Sequence, residues 1–234
     1  MEPEDRRAAV FAALGEPVRL AIVDRLVPGD ASPGELRAEL GLATNLMAHH
    51  LRVLEQAGLI RRVRSEGDRR RSYLQLRVED PLVRAACSTG PAAAPAVATA
   101  PRIVFVCTGN SARSQLAAAS WAAVSPILAI SAGTHPARRV HPRAVNVGRL
   151  HGLHLEQAVP TAVEEVLRPD DVIVAVCDRA HEELDHPRSR LHWSIPDPVP
   201  AGTQAAFEEA YADIQRRIHQ LLNLHDQRRG IEAS

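Results

Sequence analysis

The sequence predicts a multidomain chain: a mainly α-helical N-terminal domain closing in a β-hairpin, then an α/β domain on a parallel sheet of about four strands. Three observations predict this. The chain has 234 residues, more than one domain usually holds, and its hydrophobic content of 45% suffices for two cores. Residues 88–101, STGPAAAPAVATAP, are small, uncharged and broken by prolines, which is linker composition. Before them apolar residues recur at helical spacing; after them short apolar runs alternate with helical stretches. The expected limits are 1–87 for the first domain, 102–226 for the second and 227–234 for a tail.

Formal net charge is zero, so any nucleic-acid surface must be local. No apolar run approaches the roughly 20 residues that span a bilayer, and the acidic start Met1-Glu2-Pro3-Glu4-Asp5 is unlike a secretory signal. A cytoplasmic protein without a membrane partner is expected. The three cysteines, Cys87, Cys107 and Cys177, are too far apart for a disulfide framework. In a reducing compartment such thiols are catalytic or simply buried.

In the first domain, residues 6–26 read as two helices meeting at Gly15-Glu16-Pro17. Ser32-Pro33-Gly34-Glu35 caps a short helix to Leu40. After a turn at Gly41-Leu42, a helix is expected over residues 44–57, with Leu46, Leu51 and Leu54 facing inward and Gly58 ending it. Helix, glycine turn and helix form a helix-turn-helix pattern. Alternating residues 59–64 and 72–77 then read as a hairpin around Ser65-Glu66-Gly67-Asp68, the wing.

Seven arginines lie between Arg61 and Arg77, and Arg69, Arg70 and Arg71 are best placed to grip phosphate. Thr44, Asn45, Ala48, His49 and Arg52 fall on the first turns of the second helix, where a major-groove reader presents side chains to bases. His49 and the adjacent His50 point about 100° apart on a helix, which favours packing and DNA contact over a shared metal ion. The stretch LMAHHLRVLEQAGLI, residues 46–60, resembles the recognition helix of ArsR-type winged-helix repressors. That resemblance covers about residues 5–85. It implies a homodimer, formed through this domain, that binds a palindromic operator and is released by a metal or metalloid. Residues 35–40 hold none of the cysteines that many such repressors carry there. Cys87, just past the wing, is either a thiolate sensor or a passive thiol near the dimer helix.

In the second domain, residues 103–106 (IVFV) form a run suited to a strand buried on both faces, followed by a loop and an alanine-rich helix to about Ala123. Further strands are expected at 127–130 and 172–176, and helices near 142–150, 161–167 and 203–222. The loop, Cys107-Thr108-Gly109-Asn110-Ser111-Ala112-Arg113-Ser114, carries a cysteine at a strand end and an arginine at the first turn of a helix. A loop of this length can turn its backbone N–H groups around a tetrahedral oxyanion, with the helix dipole assisting. Arg113 then binds two oxygens with its planar fork, and the positive surroundings favour a nucleophilic Cys107 thiolate. Asn110 and Ser114 are expected to hold the loop and donate to the sulfur. Asp197, in an Asp-Pro turn before the last helix, is the candidate proton donor.

Cys-x5-Arg with a late Asp-Pro loop resembles the low-molecular-weight phosphatase fold across residues 102–225. Within that fold CTGNSARSQ, SAGTHP at 131–136 and VHP at 140–142 resemble arsenate reductase. Phosphatases of this fold usually place a second cysteine in the loop and a proline after Arg-Ser; Ala112 and Gln115 stand there. The resemblance implies that Cys107 attacks arsenate, Asp197 protonates the departing oxygen, and a second thiol attacks Cys107 so that arsenite leaves. Cys177, at the end of a parallel strand, would share a sheet edge with Cys107 and is the candidate resolving thiol; a small buried hydrophobe is the alternative. Thioredoxin-coupled relatives carry a further cysteine where Leu184 stands. No tightly bound cofactor and no metal are expected, and the external reductant would be a thiol of thioredoxin, mycothiol or glutathione type. His181, His186 and His192 are expected at the surface. A repressor fused to an arsenate reductase is the leading reading. A phosphatase fused to a regulator, or a regulator whose second domain only senses an oxyanion, are the others.

Overall fold

The computed structural model describes residues 3–87, 100–184 and 190–232, with side chains to Leu222. The linker 88–101 falls almost wholly outside the described residues, as does His186. The described residues form two compact units, one of residues 3–65 and 69–87, the other of 66–68, 100–184 and 190–232. Among the described residues no helix is long and apolar enough to cross a membrane.

The first unit contains α1 (Pro3–Leu14), α2 (Pro17–Leu26), α3 (Pro33–Leu40), α4 (Thr44–Gln56), β1 (Ile60–Arg64), β2 (Ser72–Leu76) and α5 (Pro81–Cys87). Glu16 separates α1 from α2 because its carboxylate takes the N–H groups of Val18 and Arg19, at 3.1 and 2.9 Å, and Pro17 fixes the first turn. Ser32 and Glu35 cap α3 reciprocally, and Gly41 ends it at a φ of 64°. β1 and β2 pair antiparallel from Ile60–Leu76 to Arg64–Ser72. Leu74 also exchanges hydrogen bonds with Ala31 at 2.8 and 3.4 Å, tying the hairpin to the chain entering α3.

The core-facing stripe of α4 is Met47, His50, Leu51 and Leu54: Leu51 and Leu54 face inward as expected, and Met47 takes the place expected for Leu46. Leu46 is 43% exposed. It lies one helical step, about 100°, from Met47, and the spacing 47-50/51-54 puts the other leucines beneath the helix. His50 is likewise removed from the exposed face: it is buried, with Nδ1 3.4 Å from a Glu16 carboxylate oxygen.

In the second unit the order is β3 (Arg102–Cys107), α6 (Arg113–Ala122), β4 (Leu128–Gly133), α7 (Pro142–Leu150), α8 (Val163–Val166), β5 (Val172–Ala175), α9 (Asp178–Glu183), β6 (Arg190–His192), α10 (Pro198–Ala201) and α11 (Gln204–Glu232). The four strands are parallel in the order β4-β3-β5-β6. The strand order reverses direction between β3 and β5, the crevice in which open α/β sheets bind ligands. Ile103, Val104, Phe105 and Val106 are fully buried, as a central strand covered on both faces requires. Phe105 packs against Trp121 and Trp193, with ring centroids 6.2 and 5.7 Å apart. Helix α11 continues past Leu222 to Glu232, into the segment expected as a tail, since no proline intervenes to stop it.

At the start of β3, Arg102 donates through Nε and Nη2 to Asp171 at 2.8 and 2.5 Å, both side chains being buried. Burial alone would raise the Asp171 pKa, but the Arg102 hydrogen bonds outweigh it and hold the carboxyl below its ordinary range. A depressed folded-state value stabilises the fold above the unfolded value of about 4 and is lost as pH falls through the folded one. Urea denaturation is therefore expected to show stability falling below about pH 4, and Asp171→Asn to cost about 3 kcal/mol at neutral pH while flattening that slope.

Candidate active site

The loop after β3 is defined by where its carbonyls go. Thr134, His135, Ala137 and His141 donate their N–H groups to the carbonyls of Cys107, Thr108, Gly109 and Ser111 at 3.1, 2.8, 2.9 and 2.8 Å. Gln115 Nε2 takes the Asn110 carbonyl at 3.1 Å. In a trans peptide the next N–H points opposite to the carbonyl, so the amides of residues 108–112 are turned to the other side, into the loop. Five inward amides at the start of α6 are an arrangement that can hold an anion.

Asn110 makes this curvature possible. It is the one described non-glycine residue with positive φ, at 45°. Its side chain is held on both ends: Oδ1 accepts from the Thr161 N–H at 2.9 Å and from Gln115 at 3.2 Å, and Nδ2 donates to Ser114 Oγ at 2.8 Å. With its oxygen occupied as an acceptor, the Ser114 hydroxyl is free to donate to Cys107 Sγ, 3.0 Å away. Asn110 thus acts on the sulfur through Ser114 rather than directly. Gln115, which departs from the phosphatase pattern, has a defined task here, and neither its role nor that of Thr161 was predicted. Only Gly133 of their surroundings left a trace in the sequence, inside SAGTHP.

Gly133 lies under the loop, where a Cβ would stand 2.7 Å from the Thr108 carbonyl oxygen and 2.9 Å from Asn110 Cβ. Backbone cannot yield there cheaply. Gly133→Ala is expected to displace the cradle and weaken oxyanion binding about tenfold or more, an overpacking cost of about 1–3 kcal/mol; calorimetric titration with phosphate measures it.

Cys107 and Arg113 are both buried, at 3% and 6% exposure. Arg113 Nη1 donates to the Ile195 carbonyl at 2.8 Å, and Nη2 lies 3.3 Å from Asp197 Oδ2. Burial would lower the guanidinium pKa; Cys177, Cys107 and Asp197 outweigh it, leaving the value raised and the charge fixed. Asp197 caps α10, accepting from the Val199 N–H at 3.3 Å. The elements therefore gather Cys107, Arg113, Ser114, Asn110 and Asp197 at the carboxyl edge of the sheet.

Cys177 follows β5 on that edge. Val106 pairs with Ala175, and the Val176 N–H donates to the Val106 carbonyl at 2.8 Å, so Cys107 and Cys177 leave neighbouring strands together. Cys177 Sγ lies 3.6 Å from Thr108 Oγ1 and accepts the Ala180 N–H at 3.4 Å. Burial pushes its pKa up, with Cys107 adding to the rise and Arg113 opposing it. Leu184, where thioredoxin-coupled relatives carry another cysteine, is buried at the end of α9.

His181 and His192, expected at the surface, are buried. His192 Nε2 lies 3.0 Å from Asp178 Oδ1, His181 stacks on its ring at 4.1 Å, and Arg190 donates to His181 Nδ1 at 3.1 Å. These partners sit on α9 and β6, elements the sequence reading did not locate. Among the described residues no group of three or more His, Cys, Asp or Glu side chains is placed to hold a metal.

In the first unit Thr44, Asn45, Ala48, His49 and Arg52 lie exposed on α4, and Arg69, Arg70 and Arg71 are exposed at the wing. Among the wing arginines Arg62 pairs with Glu55 at 3.1 Å, and Arg61 and Arg77 pair with Glu79 at 2.9 and 3.6 Å. Cys87 is half-buried near Asp24, and its pKa is pushed up to about 11, chiefly by burial and then by that carboxylate. A rise of that kind disfavours the thiolate form at neutral pH.

Residues 14–63 match the family model of a helix-turn-helix domain. The chain is similar to an arsenate reductase of Halalkalibacterium halodurans, 34% identical over 128 residues that cover 50% of this chain and 91% of that relative. It is also similar to an arsenate reductase of Bacillus subtilis, 32% identical over 121 residues covering 49% and 84%. Among solved structures, an arsenate reductase from Archaeoglobus fulgidus is 30% identical, with a TM-score of 0.46 over 51% of this chain and 97% of that one. Residues 102–229, more than half the chain, match the family model described as low molecular weight phosphotyrosine protein phosphatase, and to that family the chain belongs, with a helix-turn-helix domain fused ahead of it.

Proposed function

We propose that the chain joins an ArsR-type transcriptional repressor to a thiol-dependent arsenate reductase. The observation that carries the enzymatic half is the pairing of an anion cradle around Cys107 with a second thiol, Cys177, on the adjacent strand end. A phosphatase requires the cradle alone; a reductase needs a partner for the sulfur.

The cradle amides and Arg113 bind arsenate, and the Cys107 thiolate displaces one oxygen as an S–As bond forms. Asp197, 3.3 Å from Arg113, protonates the departing oxygen. The Cys177 thiolate then attacks Cys107 Sγ. An S–S bond forms, the S–As bond breaks, and its electron pair passes to arsenic, which leaves as arsenite. Burial disfavours a Cys177 thiolate, so the Arg113 charge is what assists its ionisation. An external thiol system then reduces the disulfide.

Exposed Thr44, Asn45, Ala48, His49 and Arg52 are the proposed base-reading set, with Arg69, Arg70 and Arg71 on phosphate; buried His50 is excluded from it. A homodimer, operator DNA as partner and a cytoplasmic setting complete the reading. Arsenite release by the purified full chain, supplied in turn with thioredoxin, mycothiol and glutathione systems, tests the enzyme. Brisk phosphotyrosine hydrolysis with no arsenite from any donor would replace it with the phosphatase reading. A gel shift on the chain's own promoter, relieved by arsenite, tests the repressor; failure to shift any promoter fragment rejects it.

A further inference from the structure

A cleft of about 790 Å³ opens beside the anion loop, bordered by Ser111, Arg139, His141, Arg143, Asn146 and Gln204. Its volume is that of a small-molecule site. No carboxylate belongs to its lining, while two guanidiniums and two carboxamides do. Among the described residues neither Arg139 nor Arg143 has a carboxylate partner. The His141 ring stacks on Phe207 at 4.7 Å, and its Nδ1 accepts the Arg143 backbone N–H at 3.2 Å. Burial lowers the His141 pKa, the charges of Arg143 and Arg139 lower it further, and Asp197 opposes them without reversing the shift, in keeping with two guanidiniums and no carboxylate on the cleft wall.

Such a cleft would serve the part of the cycle that the domain cannot complete alone. Once Cys107 and Cys177 are joined, the second unit has no third thiol, since Cys87 belongs to the first. Electrons must arrive from another molecule, and the cleft abuts the loop that begins at Cys107. We infer that the cleft beside Ser111 binds a low-molecular-weight thiol carrying carboxylates, held by Arg139 and Arg143, as the reductant of the Cys107–Cys177 disulfide. This rests on the reductase reading above. The bound thiolate attacks Cys107 Sγ, forming a mixed disulfide and releasing the Cys177 thiolate, which takes a proton. A second thiol attacks the mixed disulfide at the small-molecule sulfur, regenerating the Cys107 thiolate and leaving one small disulfide per arsenite. Asn146 and Gln204 supply hydrogen bonds for amide groups of such a thiol.

Glutathione serves as the probe, with the full chain and arsenate saturating. Arg139→Gln with Arg143→Gln is expected to raise KM for glutathione about tenfold, with kcat within about twofold. Neutralising the probe instead, as its ethyl ester, should raise KM similarly in the wild type. A second readout needs no turnover: bound S-methylglutathione should raise the titration midpoint of His141 in the wild type, followed by NMR, and not in the double variant. Unchanged KM and an unmoved His141, in a chain that turns over with uncharged dithiothreitol, overturn the cleft while sparing the reductase. If dithiothreitol also yields no arsenite, the reductase reading fails, and the His141 titration alone decides whether the anion site exists.

Discussion

Cys107→Ser is expected to reduce arsenite release by at least about 10³-fold, because a serine hydroxyl at neutral pH is neither ionised nor able to form a disulfide. Its selectivity is the informative part. The amides of residues 108–112 point inward because the carbonyls that precede them, of residues 107–111, are tied to residues 134–141 and to Gln115, none of which involves the sulfur. Arg113 keeps its hydrogen bond to Ile195, and Ser114 keeps its bond from Asn110. The variant should therefore bind phosphate within a few-fold of the wild type by calorimetry, and melt normally. Undiminished turnover would end the assignment of Cys107 as nucleophile; lost phosphate binding would show that the sulfur, not the main chain, organises the loop.

Arg113→Lys is the second large effect, expected at about 10²–10³-fold in kcat/KM for arsenate. The guanidinium is buried, and its planar fork reaches the Ile195 carbonyl while lying 3.3 Å from Asp197. A lysine ammonium retains the charge but cannot serve that carbonyl, the carboxylate and two substrate oxygens in one plane. The cost should appear mainly in oxyanion binding, with weaker competitive inhibition by phosphate, and an unaffected inhibition constant would show that the amides alone hold the anion. Leaving a buried carbonyl without its donor adds a stability loss of about 1–3 kcal/mol, read from urea denaturation.

What the sequence showed depended on how local the cause was. Helix α7, Pro142–Leu150, has its predicted bounds because His141 and Pro142 set its start and the apolar residues repeat at helical spacing. The α3 capping box was equally legible, being written within four consecutive residues. The anion loop could be read because strand, cysteine, glycine, arginine and helix are contiguous. Strand β6 could not: three residues, RLH, carry no periodicity, and their place comes from pairing with β5. Without β6 and α9 there was no means of seeing that Asp178 meets His192, or that two histidines in an apparently polar stretch are interior. Leu46 is hard to place from sequence because it and the adjacent Met47 compete for one position in the Leu51–Leu54 stripe, and a single helical step separates the right face from the wrong one. Thr161, 51 residues beyond Asn110, contributes only a backbone N–H, which any residue but proline offers.

The left-handed backbone of Asn110 has an energetic consequence. A non-glycine residue in that conformation costs about 1 kcal/mol, and here three separate groups, from Thr161, Gln115 and Ser114, keep it from relaxing. The penalty is met once, when the chain folds, and not each time an oxyanion arrives. An incoming ion then meets donors already aimed at it, so its affinity is not reduced by the work of arranging them, and empty and occupied loops should superpose.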